Sequence, residues 1–248
     1  MSFTPDPVAF TVFGLDIRWY AVLICTGILL AGFIALRRAP AHGISSDDTL
    51  DIILVSVPVG VIGARLWYVL FNWEYYRSFY DVINIRAGGL AIHGGLIFGS
   101  IAAIVMCRKK KCNPLDVLDF AFPCIALAQA IGRWGNFFNQ EAHGSPTDLP
   151  WAIVIDGQKV HPTFLYESVW CLILFFVLSA VDKRRRFRGQ VTMLYGVLSV
   201  SYTHLFTSST SSAAARVFRI GRGMIFWRAH YTRLLSSFGR AARGSMLF

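Results

Sequence analysis

The sequence predicts an all-α fold, a polytopic membrane helix bundle with five spans and a weaker sixth. Three observations carry the prediction. Of 248 residues, 55% are hydrophobic and only 15% charged, with a mean hydropathy of +0.51, whereas a soluble domain of this size carries about 25% charge. Apolar runs long enough to cross a bilayer recur along the chain. The basic residues fall in alternate loops between those runs, which is how membrane proteins set their orientation.

The apolar runs lie at 17–36, 50–71, 89–107, 116–137 and 164–181, with a less apolar one at 190–206. Loop 37–49 carries Arg37 and Arg38. Loop 108–115 carries Arg108, Lys109, Lys110 and Lys111, and loop 182–189 carries Lys183, Arg184, Arg185, Arg186 and Arg188. These loops follow spans one, three and five, so they share one side, expected to be cytoplasmic with the N-terminus outside. The net charge of +10 is thereby accounted for as a topology signal, and no nucleic-acid partner is expected. The N-terminus has no basic n-region or cleavage site, so the first span is expected to act as an uncleaved anchor. Cys25, Cys107, Cys112, Cys124 and Cys171 form no CxxC pair and are read as reduced helix residues. Residues 1–199 are expected to form the membrane domain. Over 200–248 the composition turns to Ser, Thr and Arg, with no Asp, Glu or Lys after 201, and this basic tail is expected to pack poorly.

The side of the bundle opposite the basic loops holds the polar residues that apolar context does not explain. Span four ends in Gly132-Arg133-Trp134-Gly135-Asn136-Phe137-Phe138-Asn139-Gln140-Glu141. A central membrane arginine costs roughly 2.5–3.5 kcal/mol on insertion scales. An arginine at a helix end can instead snorkel to the interface. Snorkelling needs one cation, however, and not the amides Asn136 and Asn139 as well. A guanidinium among amides suits a lipid phosphate, and Glu141 is expected to be its ion-pair partner. Gly88-Gly89-Leu90-Ala91-Ile92-His93-Gly94-Gly95 opens span three. Gly95 and Gly99 form a close-packing GxxxG face. His93 is a general base, a phosphate donor or a hydrogen-bonded packing residue. His161-Pro162-Thr163-Phe164-Leu165-Tyr166-Glu167 opens span five, with Glu167 favoured by the helix macrodipole but set unusually deep in apolar sequence. Arg18-Trp19-Tyr20 opens span one in the manner of an aromatic belt. No zincin, GxSxG, P-loop or dinucleotide pattern is present, and no metal or cofactor is expected.

These four motifs, with His143-Gly144 following the one that ends span four, resemble in order and topology the prolipoprotein diacylglyceryl transferases of bacterial inner membranes, over about residues 8–198. The resemblance implies transfer of the diacylglyceryl group of phosphatidylglycerol, a membrane lipid, to the lipobox cysteine of a prolipoprotein signal peptide. A thioether forms and glycerol phosphate leaves. It implies that Arg133 is the lipid-binding arginine and that His93 is the important histidine. It also matches Asn136, Glu141 and Gly144 to the signature and Tyr20 to the span-one tyrosine. Asn139, His161, Tyr166 and Glu167 join the substrate-binding set. After Leu194-Tyr195-Gly196 the family continues with a pattern like R-F-x-x-E-x-x-R, which this chain lacks. That departure predicts weak transfer by the chain as written. Competing readings are another phospholipid head-group transferase, which would take a soluble acceptor, and a small transporter, which would carry paired broken helices in two similar halves.

Overall fold

The structure is a computed structural model and describes residues 5–199 apart from 77, 86, 87 and 156. The chain runs β1 (Val8–Val12), β2 (Leu15–Arg18), α1 (Trp19–Arg38), α2 (Ser46–Phe71), α3 (Phe79–Ile83), α4 (Ile92–Lys109), α5 (Pro114–Phe138), β3 (Ile153–Ile155), β4 (Gln158–Val160) and α6 (Thr163–Asp182). Helix resumes over 190–199. Helices α1, α2, α4, α5 and α6 are long and apolar enough to cross a membrane, and they coincide with the five expected spans. The weaker run at 190–206 is helical as far as it is described. Its remainder and the tail over 200–248 lie outside the described residues.

Local chemistry sets the helix ends. Ser45 caps α2, its hydroxyl accepting from the Asp48 N–H at 3.0 Å. Asn113 caps α5 in the same way through Leu115, with Pro114 at the first helical position. Asp47 and Asp48 lie in the first turn of α2 and Asp116 in that of α5, while Arg37, Arg38, Arg108 and Lys109 end α1 and α4. Each charge complements the dipole of its own helix. Because successive spans run in opposite directions, these acids and bases gather at one end of the bundle. Lys110 bonds Asp48 at 3.0 Å and also Asp51, and these hydrogen bonds push its amine up to about 12. His42 pairs with Asp182 at 3.1 Å, and Arg38 donates to the Ser179 hydroxyl at 2.6 Å. The three basic loops therefore share one end, as their alternation required.

The apolar core at that end joins Ala35, Ile52, Cys107, Val117, Phe120 and Cys124 from four helices with Ala39 and Ile44 from the α1–α2 connection. A second cluster of Ala126, Leu174, Leu178 and Val191 seats the helix over 190–199 on α5 and α6. Helix α2 packs along α4, and α5 packs along both α1 and α6. The Gly95–Gly99 face meets Gly60 of α2, where an added Cβ would lie 3.3 Å from the Gly95 carbonyl, so small residues bring the two backbones together. Leu29, Leu54, Leu70, Leu96 and Phe176 point outward and are exposed. A soluble surface would hide such faces, whereas lipid solvates them. All five cysteines are free thiols.

Two short antiparallel hairpins, β1–β2 and β3–β4, were not expected. Their signals were local. Phe13 and Gly14 turn the first with φ of 51° and 76°, and an Asp156-Gly157 pair separates the strands of the second, a dipeptide that favours tight hairpin turns.

Asp119, on α5 one turn from the basic end, is fully buried. Its carboxylate accepts from the Gly189 N–H at 2.7 Å, the Thr192 N–H at 3.0 Å and the Thr192 hydroxyl at 2.8 Å. Arg185 reaches it at 3.4 Å while pairing with Asp116 at 2.7 Å. Burial works against the Arg185 charge, but the hydrogen bonds to Asp116 and Asp119 outweigh it and hold its pKa above the usual value. Asp119 thus caps the next helix from a different helix. Replacing Asp119 with Ala leaves these donors unmatched and is expected to cost about 3 kcal/mol. The exposed Arg188→Gln change should cost under about 0.5 kcal/mol. Thermal unfolding in detergent measures both; equal melting temperatures for the two variants would refute the cap.

Candidate functional site

At the opposite end, α5 finishes beside the starts of α1 and α6. Arg133 Nε forms an ion pair with Glu167 Oε2 at 2.7 Å. One residue on, Trp134 Nε1 donates to the Ser168 hydroxyl at 3.1 Å, which donates to the Ala130 carbonyl at 2.9 Å. These consecutive rungs fix the register of α5 on α6, and Phe164 fills the turn below by packing on Trp134 and Phe137. The expected pairing of Arg133 with Glu141 is corrected: Glu141 instead accepts from the Asn139 amide at 3.1 Å. The reason is geometric. Glu141 has left the helix, where the chain reverses through left-handed Gln140 and Ala142, whereas Glu167 faces Arg133 across a packed helix pair.

Tyr20 lies in the first turn of α1 with its ring against Gly135, where an added Cβ would come within 2.6 Å of the ring. Trp19 stacks on Phe138, with centroids 5.1 Å apart. Asn136 lies one turn beyond Arg133, and its carbonyl accepts from the Glu141 N–H at 3.0 Å. Beyond Ala142 the loop folds back on the start of α6. Thr163 bonds the Ala142 carbonyl, Gly144 N–H donates to the His161 carbonyl at 3.0 Å, and His161 N–H donates to the Ser145 carbonyl at 3.1 Å. Gly144 is needed there, since a Cβ would approach His161 Cβ to 2.7 Å. Tyr166 accepts from Trp151 Nε1 at 2.7 Å, with His161 Nδ1 3.4 Å away.

All the candidate residues but His93 therefore sit on α1, α5, α6 and the α5–α6 loop. His93 sits in the first turn of α4, exposed. Its segment docks on α2, with Ala91 N–H donating to the Ala64 carbonyl at 3.0 Å and Gly94 pressed against Gly63.

That docking depends on Arg65, a residue the sequence reading passed over. Arg65 is only 7% exposed. Nε donates to the Val82 carbonyl at 2.7 Å. Nη1 donates to Gly88 and Gly89 at 2.7 and 2.9 Å, and Nη2 donates to Asp81 and Asn84 at 2.7 and 3.0 Å. All five donors of the guanidinium are matched, by backbone oxygens alone among the described residues. The Tyr76 ring covers its face at 5.2 Å. Gly88 and Gly89 have φ of 86° and 84°, a left-handed turn that aims both carbonyls at Nη1. The signal available was a lone cation within an apolar run.

Arg133 is the opposite case. Its side chain is 42% exposed, and only Nε has a partner among the described residues, so both Nη groups remain open. Among the described residues no group of three or more His, Cys, Asp or Glu is placed to hold a metal.

Fold and site define a polytopic membrane protein with an unsaturated guanidinium at one end of its spans, held by a carboxylate of the neighbouring helix. Residues 7–206 match the family model described as prolipoprotein diacylglyceryl transferase. A phosphatidylglycerol–prolipoprotein diacylglyceryl transferase of Finegoldia magna is 49% identical over 218 residues, covering 86% of this chain and 88% of the relative. The Clostridioides difficile enzyme of the same name is 50% identical over 191 residues, covering 77% of each. That of Thermotoga petrophila is 46% identical over 202 residues, covering 76% of this chain and 69% of the relative. The chain belongs to the prolipoprotein diacylglyceryl transferase family. The transporter reading gives way to this membership.

The Arg65 cage yields a test. Lysine presents three donors from one point and cannot span five carbonyls. Arg65→Lys is expected to loosen the whole segment 79–91, measured as faster amide hydrogen exchange there and unchanged exchange in α5 and α6. Unchanged exchange over 79–91 would show that the cage does not hold it.

Proposed function

We propose that the chain transfers the diacylglyceryl group of phosphatidylglycerol to the lipobox cysteine of prolipoproteins, in the inner membrane of a bacterium. The observation that carries this reading is the open Nη pair of Arg133 beside Glu167, in a chain of this family. Sulfur attacks the glyceryl carbon, the C–O bond to phosphate breaks and glycerol phosphate departs. Negative charge grows on the phosphate oxygens, and two parallel N–H donors match it. Glu167 pairs with Arg133 at Nε and leaves the two Nη groups free to face the phosphate. The thiolate is the nucleophile, and we assign His93 to remove its proton or to bond the phosphate. Asn136, Asn139 and Glu141 line the lipid side of the site. Tyr20 walls it from α1, and Gly144, His161 and Tyr166 hold the loop above it. The basic loops face the cytoplasm and the N-terminus lies outside, so the site opens outward, where signal peptides emerge.

Two experiments test this. Arg133→Lys is expected to lose nearly as much transfer as Arg133→Ala, at least about tenfold, because an ammonium cannot supply the fork. Labelled-lipid transfer to a lipobox peptide measures it, in a version carrying a family-like last span as well as in the chain as written. Full activity of the lysine variant would reduce Arg133 to a simple charge. In a cysteine-free version, a cysteine placed at Ser145 should react with an impermeant thiol reagent in intact cells, and one at Ser45 should not. The reverse pattern would invert the orientation.

A further inference from the structure

We infer that the free edge of β3, at Val154, docks the prolipoprotein acceptor as an added main-chain strand. This rests on the transferase reading above and extends it to the second substrate.

The backbone pairing identifies the edge. Strand β4 is bordered on one side by β3, with Val154 opposite Lys159. On its other side runs the 144–147 segment, where Thr147 N–H donates to the Lys159 carbonyl at 3.0 Å and Pro146 bridges to Val160. The Lys159 carbonyl therefore faces away from β3. In an antiparallel ladder, residues of such a pair both turn their N–H and C=O outward. Val154 thus presents one donor and one acceptor at the open side of β3, and no described residue takes either.

A cavity of about 240 Å³ runs along this side. Ala152, Ile153, Val154 and Ile155 all line it, together with Phe137 and Gln140 and, from the start of the chain, Pro5. Successive strand residues point to opposite faces, so a space touched by four in a row follows the edge of the strand and not one face. The cavity is smaller than the roughly 300–1,000 Å³ that encloses a whole small ligand, and its size suits a chain passing through. It lies beside the site. Phe137 and Gln140 are neighbours of Asn136 and Asn139, and Asn139 Oδ1 is a buried acceptor without a partner among the described residues. Acyl chains carry no N–H or C=O in series to pair with an edge strand. An extended peptide does, and strand addition gives main-chain affinity with little demand on side-chain identity. That suits an acceptor whose only reacting group is one thiol.

The test is binding of a fluorescent lipobox peptide, its cysteine replaced by serine so that no transfer follows, to the full chain in phosphatidylglycerol nanodiscs. Val154→Pro deletes the outward donor, and edge strands tolerate proline. It should weaken binding about tenfold, the scale of one or two net hydrogen bonds. Val154→Thr keeps the backbone and should bind within about twofold of the parent. Proline can also disturb the hairpin, so the same peptide N-methylated at single amides is titrated against the unaltered chain. One position, the amide that meets the Val154 carbonyl, should lose about tenfold, against the parent and against Val154→Thr alike. Equal binding by every variant, with no sensitive amide, overturns the inference, and the edge then belongs to some other occupant. Transfer to the cysteine peptide, measured separately, decides the transferase reading: a chain that transfers lipid but shows no sensitive amide keeps the activity and loses the edge.

Discussion

A guanidinium carries five N–H donors, and each one buried without an acceptor costs about 1–3 kcal/mol. That constraint organises this bundle, because lipid supplies no water to make up a shortfall. At Arg65 the chain answers it completely, with the carbonyl oxygens of Asp81, Val82, Asn84, Gly88 and Gly89 meeting the five donors. At Asp119 the same demand appears with the sign reversed, and the donors come from a loop and from the first turn of the following helix.

Against these two saturated charges, Arg133 stands out by what it lacks. One carboxylate holds Nε, and the terminal nitrogens point to nothing described. Its cost is lower because the side chain is partly exposed, yet the Trp134–Ser168 rung and the aromatic packing on Phe164 keep its helix in one register. The mount is rigid and the fork is unfilled among the described residues. The contrast between Arg65 and Arg133 is one of matched against unmatched donors.

The two ends of the bundle divide their labour on the same terms. At the basic end, acids at helix starts meet bases at helix ends, and four helices share a core around Phe120. At the other end, hairpins and folded-back loops surround a single ion pair among the described residues, Arg133 with Glu167, and leave an open strand edge and a cavity. Ion pairs and the shared core are concentrated at one end, and open polar groups lie at the other.

Sequence alone determined the five spans, because about twenty apolar residues in a row have no other stable placement. It determined that the three basic loops share an end, because spans alternate in direction. It also marked Arg133, Asn136, Asn139, Tyr20 and His161 as candidates, through polar types where apolar ones belong and through family motifs. Only tertiary structure decided the partners. Glu141 is nearer to Arg133 in sequence, but Glu167 is its neighbour in space, since helix packing and not chain distance brings carboxylates within reach. Arg65 gave the same kind of signal as Arg133 and was missed because its acceptors are backbone oxygens, which every residue has and no sequence marks. The free edge of β3 was hidden for a like reason: which side of a strand lies open depends on what the 144–147 segment covers, and that is fixed only when the loop folds back on α6.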